Sequence, residues 1–100
     1  MKMSLNFDTA EVPVEITSSL QDREVVETET TTFTCELSKP DMKVKWLKDG
    51  KEVPRHFRFI KSTTNFQQTL TIKNAELGDA GQYQCIADAT SSTAILRVKG

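Results

Sequence analysis

The sequence predicts an all-β fold in which two sheets form a sandwich. Short runs of alternating apolar and polar residues recur between clusters of turn residues, which is the pattern of strands with one buried face. No segment keeps a helical period for longer than a turn. One tryptophan and two cysteines lie within these runs, and a length of 100 residues allows a single domain with a single core.

The predicted elements begin after an irregular start. Residues 1–10 show no sustained period and are predicted to be a linker or a non-native remnant, with the domain itself at 11–100. Pro13 restricts the first strand, Val12 to Ile16, to a sheet edge. The interruption that follows predicts that the chain changes sheet and continues as Arg23 to Glu27.

The remaining strands are predicted from alternation and from turn signals. The strand that contains Trp46 ends at Asp49-Gly50, the strongest hairpin signal in the chain. The other predicted strands are Thr30 to Leu37, Phe57 to Ile60, the segment with Leu70 and Ile72, Gly81 to Asp88, and Thr93 to Lys99. The side chains expected to face inward are Phe33, Cys35, Leu37, Val44, Trp46, Phe59, Leu70, Ile72, Ala94, Leu96 and Val98, with Ala75 and Leu77 filling a corner.

The stretch from Asp79 to Cys85 is the part of the sequence around which the other predicted strands are arranged. Tyr83 and Cys85 are two positions apart, so their side chains lie on the same face of an extended strand, which we expect to be the core face. Just before them, the Asp79 carboxylate can accept hydrogen bonds, and Gly81 can adopt a backbone conformation that other residues resist. We therefore predict a chain corner that leads into a core strand.

Charge and composition exclude several classes of partner. Thirteen basic and fourteen acidic residues give a net charge of −1, so composition provides no footprint for nucleic acid or for an anionic membrane. The longest apolar run is far shorter than a bilayer span, and the first residues lack the apolar region of a signal peptide. We expect neither nucleic acid nor a membrane as partner.

The sequence shows no pattern for catalysis, metal binding or a cofactor. His56 is the only histidine and lies in a polar turn without the partners that imidazole catalysis needs. Cys35 and Cys85 lack the spacing of a zinc site, and the glycines form no phosphate-binding loop. We predict a non-catalytic module. Whether the two cysteines form a bridge or remain buried thiols depends on the compartment and stays open.

Cys35, Trp46 and the run Asp79-x-Gly81-x-Tyr83-x-Cys85 together resemble the signature of an immunoglobulin-like sandwich. From about residue 12 to 99 the chain is similar to intermediate-set (I-set) domains of giant cytoskeletal muscle proteins such as titin and obscurin. This similarity rests on the runs Trp46 to Lys51, Leu70 to Asn74, Asp79 to Cys85 and Ala94-x-Leu96-x-Val98. It implies a Greek-key sandwich with strands A, A′, B, C, D, E, F and G.

The resemblance also implies roles for particular residues. The structural core would comprise Cys35, Trp46, Leu70, Ile72, Asp79, Gly81, Tyr83, Cys85 and Leu96. Asp79 is expected to pair with a basic residue near strand D, first Arg58 and second Arg55, and the Tyr83 hydroxyl to bond to nearby backbone. The family usually has glycine where this chain has Thr28, so we expect a turn there that does not rely on a positive φ.

The function implied by the resemblance is that of a structural spacer and scaffold. The chain would be one force-bearing repeat of a tandem array in a cytoplasmic, sarcomeric filament, with reduced thiols and monomeric in isolation. Its partners would be neighbouring immunoglobulin-like domains of the same chain and another sarcomeric protein. Arg23 to Glu27 and Thr93 to Lys99 would pair in parallel as a mechanical clamp between termini at opposite poles. The alternative is an extracellular adhesion or receptor domain with a Cys35–Cys85 disulfide.

One surface feature suggests a partner face. If Ala87 and Ala94 face inward, we expect Ile86 to lie opposite Ile95 on the outer face, with Leu47 nearby. These three aliphatic residues would form an apolar patch. The other interpretation, which we favour, is a cross-strand pair shaded by lysine and arginine stems.

Overall fold

A computed structural model describes residues 12–100, in which short strands follow one another along the chain. The strands are β1 Ile16–Ser18, β2 Arg23–Val26, β3 Thr31–Leu37, β4 Lys45–Lys48, β5 Lys51–Glu52, β6 Phe59–Thr64, β7 Gln67–Ile72, β8 Gly81–Ala87 and β9 Thr90–Lys99. Among the described residues, a 3₁₀ turn, Leu77–Asp79, precedes β8. Within 12–100, no helix is long and apolar enough to cross a bilayer. The segment 1–10, predicted to be a linker or remnant, lies outside the described residues.

The strands form two sheets, which confirms the predicted all-β sandwich. One sheet has the order β2-β9-β8-β4-β5 and the other the order β1-β3-β7-β6. The chain changes sheet between β1 and β2, as the interruption in the sequence predicted. β2 and β9 run parallel, and the other pairs are antiparallel.

The core lies between the two sheets and is filled by alternate residues of each strand. Phe33 and Tyr83 face each other across it with ring centroids 5.1 Å apart. The predicted inward residues that are buried are Phe33, Cys35, Leu37, Trp46, Leu70, Ile72, Ala94 and Leu96. Val44, Phe59 and Val98 are partly buried and pack against this cluster. The inward assignments are thereby confirmed.

Some predicted boundaries and side chains differ from the structure. The first strand begins at Ile16, not Val12, because Pro13 has no N–H for a ladder, and Val12 is exposed. The strand predicted at Phe57 to Ile60 is β6 and begins at Phe59, since Phe57 lies in a turn and is 80% exposed. Leu77 was predicted to fill the corner, which is wrong. The 3₁₀ turn directs its side chain outward, and Ala75 alone of the two is buried.

The predicted Asp49-Gly50 turn is confirmed and leads into a strand that was not predicted. Asp49 and Gly50 have φ values of 52° and 86°, the two positive values of a type I′ turn, and they join the paired residues Lys48 and Lys51. β5 has only two residues, so it carries no alternation that a sequence pattern could reveal.

The turn between β2 and β3 contradicts our expectation for Thr28. The Glu29 N–H donates to Val26 O at 3.0 Å, and Thr28 occupies the third turn position with a φ of 81°. That value is the one that type II turns require and that glycine usually supplies. The Thr28 N–H also donates to Ala75 O at 2.8 Å, so hydrogen bonds on both sides hold a β-branched residue in a strained conformation.

We expect Thr28→Gly to raise the free energy of unfolding by about 1 kcal/mol, because relief of the left-handed strain exceeds the added entropy of an unfolded glycine. Urea unfolding of both proteins measures the difference. Thr30→Gly is the matched control: it changes the same residue type two positions on, where φ is not positive, and should destabilise the protein. A loss of stability in Thr28→Gly equal to that of the control would contradict the strain.

Candidate functional site

The parallel pair β2–β9 is the first part of the candidate site. Its register runs from Leu96 opposite Arg23 to Lys99 opposite Val26, which confirms the predicted parallel pairing. Further hydrogen bonds extend the contact at both ends: Glu27 N–H donates to Lys99 O at 2.7 Å, and Ile95 N–H donates to Asp22 Oδ1 at 2.8 Å. Nearer the start of β9, the buried Leu20 N–H donates to Ser92 Oγ at 2.8 Å.

The direction of individual N–H groups in this pair follows from the bond made by Glu27. In a parallel ladder, alternate residues of a strand direct their backbone groups to the same neighbour. Since the Glu27 N–H donates to β9, the Val25 N–H faces β9 as well. The Val25 side chain is also buried. Val25 therefore joins β2 both to its neighbouring strand and to the core.

The two ends of the described chain lie at opposite poles. Pro13 and Val14 share a shallow cleft with the β8–β9 turn around Ala89. At the other pole, where β9 ends, a Cβ placed on Gly100 would lie 3.7 Å from the Leu77 side chain and 4.0 Å from the Glu27 side chain. A line between the chain ends therefore runs along β9 and through its pairing with β2.

The second part of the site is a corner built on Asp79. Its carboxylate accepts from Arg58 Nη1 at 2.8 Å and from Nη2 at 3.2 Å, so the first of the two predicted partners, Arg58, is the one found. It also accepts from the Glu76 N–H at 2.8 Å. The Tyr83 hydroxyl donates to Asp79 O at 2.6 Å, as the resemblance implied. Arg58 additionally donates to the carbonyls of Lys73 and Asn74.

Charge and burial tune the titration of this corner. Burial alone would raise the pKa of the Asp79 carboxyl, but hydrogen bonds from Arg58 and from the Glu76 N–H outweigh it and lower that pKa. Burial raises the pKa of Tyr83. The phenol is thus held protonated and donates to the backbone, while the carboxylate is held charged beside its guanidinium. The arrangement fastens a chain corner and leaves no free acid for chemistry.

Gly81 is required by a close approach at the start of β8. Its φ is 153°, and a Cβ there would lie 2.7 Å from Asp49 Oδ2. The Asp49 carboxylate accepts from the Gln82 N–H at 2.9 Å, and this bond lowers the pKa of Asp49. Sequence reasoning predicted a glycine for backbone shape, but the contact with Asp49 comes from a distant hairpin and carries no local signal.

The two cysteines lie side by side in the core as free thiols. Trp46 is paired directly with Cys85 in the β4–β8 register and is itself buried. The hydrogen bond with Cys35, followed by burial, raises the pKa of the Cys85 thiol. The neighbouring sulfur and the burial thus disfavour the thiolate form of Cys85.

The predicted partner face is not continuous. Ile95 is paired with Gln82 and Ile86 with Ser91, so the expectation that the two isoleucines lie opposite each other is wrong. Alternation along the strands predicts that Ile86 and Ile95 both face outward, but the two-residue turn between β8 and β9 sets a register in which they lie several residues apart. Leu47 lies diagonal to Ile86, and both are half-buried. What remains is the diagonal pair Leu47 and Ile86, with Ile95 separate from it.

The other candidate ligands are dispersed. In the part of the chain that the structure describes, no group of three or more histidine, cysteine, aspartate or glutamate side chains could hold a metal ion. His56 lies at an exposed turn with its ring stacked on Phe57 at 4.5 Å. Its Nδ1 accepts from the Arg58 N–H at 3.3 Å.

The two sheets, the buried Trp46 beside the paired Cys35 and Cys85, and the tyrosine corner define an immunoglobulin-like sandwich. Residues 14–99 match the family model of the immunoglobulin I-set domain, and the chain belongs to that family. It is 37% identical over 100 residues to cardiac-type myosin-binding protein C of Mus musculus, which covers 98% of this chain and 8% of that protein.

Two further comparisons place it among the same group of proteins. Titin of Drosophila melanogaster is 37% identical over 89 residues, which is 89% of this chain and, rounded, 0% of that protein. The crystal structure of the I9–I11 tandem from titin superposes with a TM-score of 0.85 and 34% identity, covering 88% of this chain and 34% of that one. The chain spans less than a tenth of the relatives it matches and is an immunoglobulin domain of the kind found in these muscle proteins.

We expect Asp79→Asn to lower the free energy of unfolding by roughly 2–3 kcal/mol at neutral pH, because the largely buried charge of Arg58 then keeps only the exposed Glu76 carboxylate, 3.6 Å away, as an ion partner. The pKa of Asp79 is lowered on folding, so the pair's contribution is complete above the unfolded value of about 3.9 and is lost as the pH falls through the lower folded value. The parent protein should therefore lose more stability on acidification than the variant.

Urea unfolding at a series of pH values measures both effects. Asp88→Asn is the matched control, since Asp88 lies in an exposed turn at a φ of 54° that asparagine tolerates. It should change stability by less than about 0.5 kcal/mol. Parallel acid curves for the parent and for Asp79→Asn would show that the corner carboxylate is not the group involved.

Proposed function

We propose that this chain is one repeat of a tandem immunoglobulin array in a sarcomeric filament, where it acts as a non-catalytic, force-bearing spacer and scaffold. The similarity to a titin tandem and to much longer muscle proteins supports the array. The partners we infer are the neighbouring immunoglobulin-like domains and another sarcomeric protein. The isolated domain is then a monomer.

One observation carries the mechanical part of the proposal: the parallel β2–β9 pair lies between chain ends at opposite poles. Tension applied to the two ends pulls β2 and β9 along their own axes in opposite directions. The hydrogen bonds between them lie across that axis, so they are loaded in shear together, and none can open before the others. Such a pair resists extension more strongly than bonds that open one after another.

We expect Val25→Pro to lower the unfolding force in single-molecule extension, because proline removes the N–H that faces β9. Lys61→Pro is the matched control. The Lys73 N–H donates to Arg58 O, and alternation along the antiparallel pair then turns the Lys61 N–H to the free edge of β6, where proline breaks no ladder bond. The control should unfold at close to the parental force.

A second comparison separates force from overall stability. Asp79→Asn weakens the corner but leaves the β2–β9 bonds in place. At an equal loss in free energy of unfolding, Val25→Pro should lose more unfolding force than Asp79→Asn. Equal force losses among Val25→Pro, Lys61→Pro and Asp79→Asn would refute the clamp and leave only a general dependence on stability.

The proposed location is cytoplasmic, in the sarcomere, where thiols stay reduced. We expect both cysteines of the natural protein to be labelled when it is denatured and alkylated without a reductant, as measured by mass spectrometry of the peptides containing Cys35 and Cys85. Denaturation is needed because both side chains are buried. Recovery of the two peptides joined and unlabelled would favour the extracellular adhesion or receptor alternative.

A further inference from the structure

The longest edge strand of the sandwich lies on the side away from β2. In the described residues β6 pairs only with β7, and it spans six residues, whereas the other edge strands β1, β2 and β5 have three, four and two. Its register with β7 runs unbroken from Phe59 to Thr64, without proline or bulge. An edge with these properties is a template for another strand.

The backbone groups available at this edge follow from the pairing of Arg58. The Lys73 N–H donates to Arg58 O at 2.8 Å, so residues at even positions along β6 direct their backbone groups to β7. The Phe59 N–H donates to His56 O, away from β7, which agrees with this phase. The N–H and C=O groups of Lys61 and Thr63 therefore face the open edge.

A cleft of about 270 Å³ lies directly beside this edge, between β6 and the segment that enters β4. Lys61 and Thr63 line it from β6, and Lys43 and Val44 line it from the segment that enters β4. The Gln68 side chain on its wall already donates to Met42 O at 2.9 Å and accepts from the Thr63 hydroxyl at 2.7 Å. Within residues 12–100 neither lysine has an ion-pair partner. The cleft is therefore suited to bind a negatively charged group.

We infer that the β6 edge binds an extended acidic segment of a partner protein as an added strand. The segment's backbone pairs with the free groups of Lys61 and Thr63. Its side chain opposite Lys61 points into the cleft, where a carboxylate lies between Lys43 and Lys61. On the outer face, the neighbouring position lies beside Ile60, which is 40% exposed, and takes a β-branched apolar residue.

Charge argues against a second copy of this chain as the occupant. Antiparallel pairing of two β6 strands around their centre would bring the two Lys61 side chains to the same face at neighbouring positions, with both Lys43 side chains close by. Like charges so placed are destabilising. An acidic strand meets the same edge with favourable charge, and charge complementarity therefore selects it.

The test uses capped seven-residue peptides as probes against the isotopically labelled chain. A peptide that alternates valine with glutamate should shift the amide signals of Lys61 and Thr63 and slow their hydrogen exchange. A peptide that alternates valine with lysine should do neither. The valine–glutamate peptide with N-methyl groups on one edge of its backbone should lose binding, because it keeps its charge but cannot pair.

Two variants test the cleft and the edge separately. Lys43→Glu with Lys61→Glu should lower affinity for the glutamate peptide at least about tenfold and create binding of the lysine peptide. The control variant Lys45→Glu with Arg97→Glu makes the same change in net charge on the outer face of the other sheet. It should alter neither the affinity for the glutamate peptide nor the binding of the lysine peptide. Lys61→Pro should abolish binding while leaving the fold intact.

Three results would overturn the inference. The first is retained affinity for the glutamate peptide in the Lys43→Glu, Lys61→Glu variant. The second is equal binding of the N-methylated peptide, which would indicate attraction without strand pairing. The third is concentration-dependent protection of the Lys61 and Thr63 amides without any peptide, which would assign this edge to a second copy of the chain.

Discussion

The packing of β3 against β8 across the core is the constraint on which the rest of the structure depends. Phe33 and Tyr83 meet at its centre, and Cys35 and Cys85 follow them two positions on. A slip of one residue in β3 would turn Phe33 and Cys35 to solvent, and the same slip in β8 would turn out Tyr83 and Cys85, so hydrophobic burial fixes the register of each strand. β9 inherits its register from β8 through a two-residue turn, and β2 inherits its register from β9.

Tyr83 also couples this core to the corner that precedes β8. Its ring is core, whereas its hydroxyl donates to Asp79 O, so the residue that sets the register also fixes the position of the carboxylate. Arg58 then ties the start of β6 to the end of β7 through Asp79 and two backbone carbonyls. A polar corner with its acceptors satisfied allows the chain to cross between sheets without an unpaired buried charge.

The sequence predicted the parts of this arrangement that local pattern controls. Alternation identified the core faces, Asp49-Gly50 identified its turn, and Arg58 was found through the family pattern. What pattern could not supply is pairing at a distance. Parity showed that Ile86 and Ile95 face outward, but it does not state which residue lies opposite which. The burial of Gln68 likewise depends on partners from Met42 and Thr63, and the φ of Thr28 depends on a bond to Ala75.

The fold keeps apart the two edges to which we assign proposed functions. β2 closes one side of its sheet by parallel pairing with β9, while β6 ends the other sheet on the side of β4, with a cleft between them. A strand added to β6 would therefore contact neither β2 nor β9. Under the proposed clamp, tension loads β2–β9 first, because those strands lie between the chain ends, whereas β6 has no direct pairing with β9 and is joined to that sheet through the core and the Arg58–Asp79 corner. A domain of this design could remain bound at its open edge while it bears force along the other side.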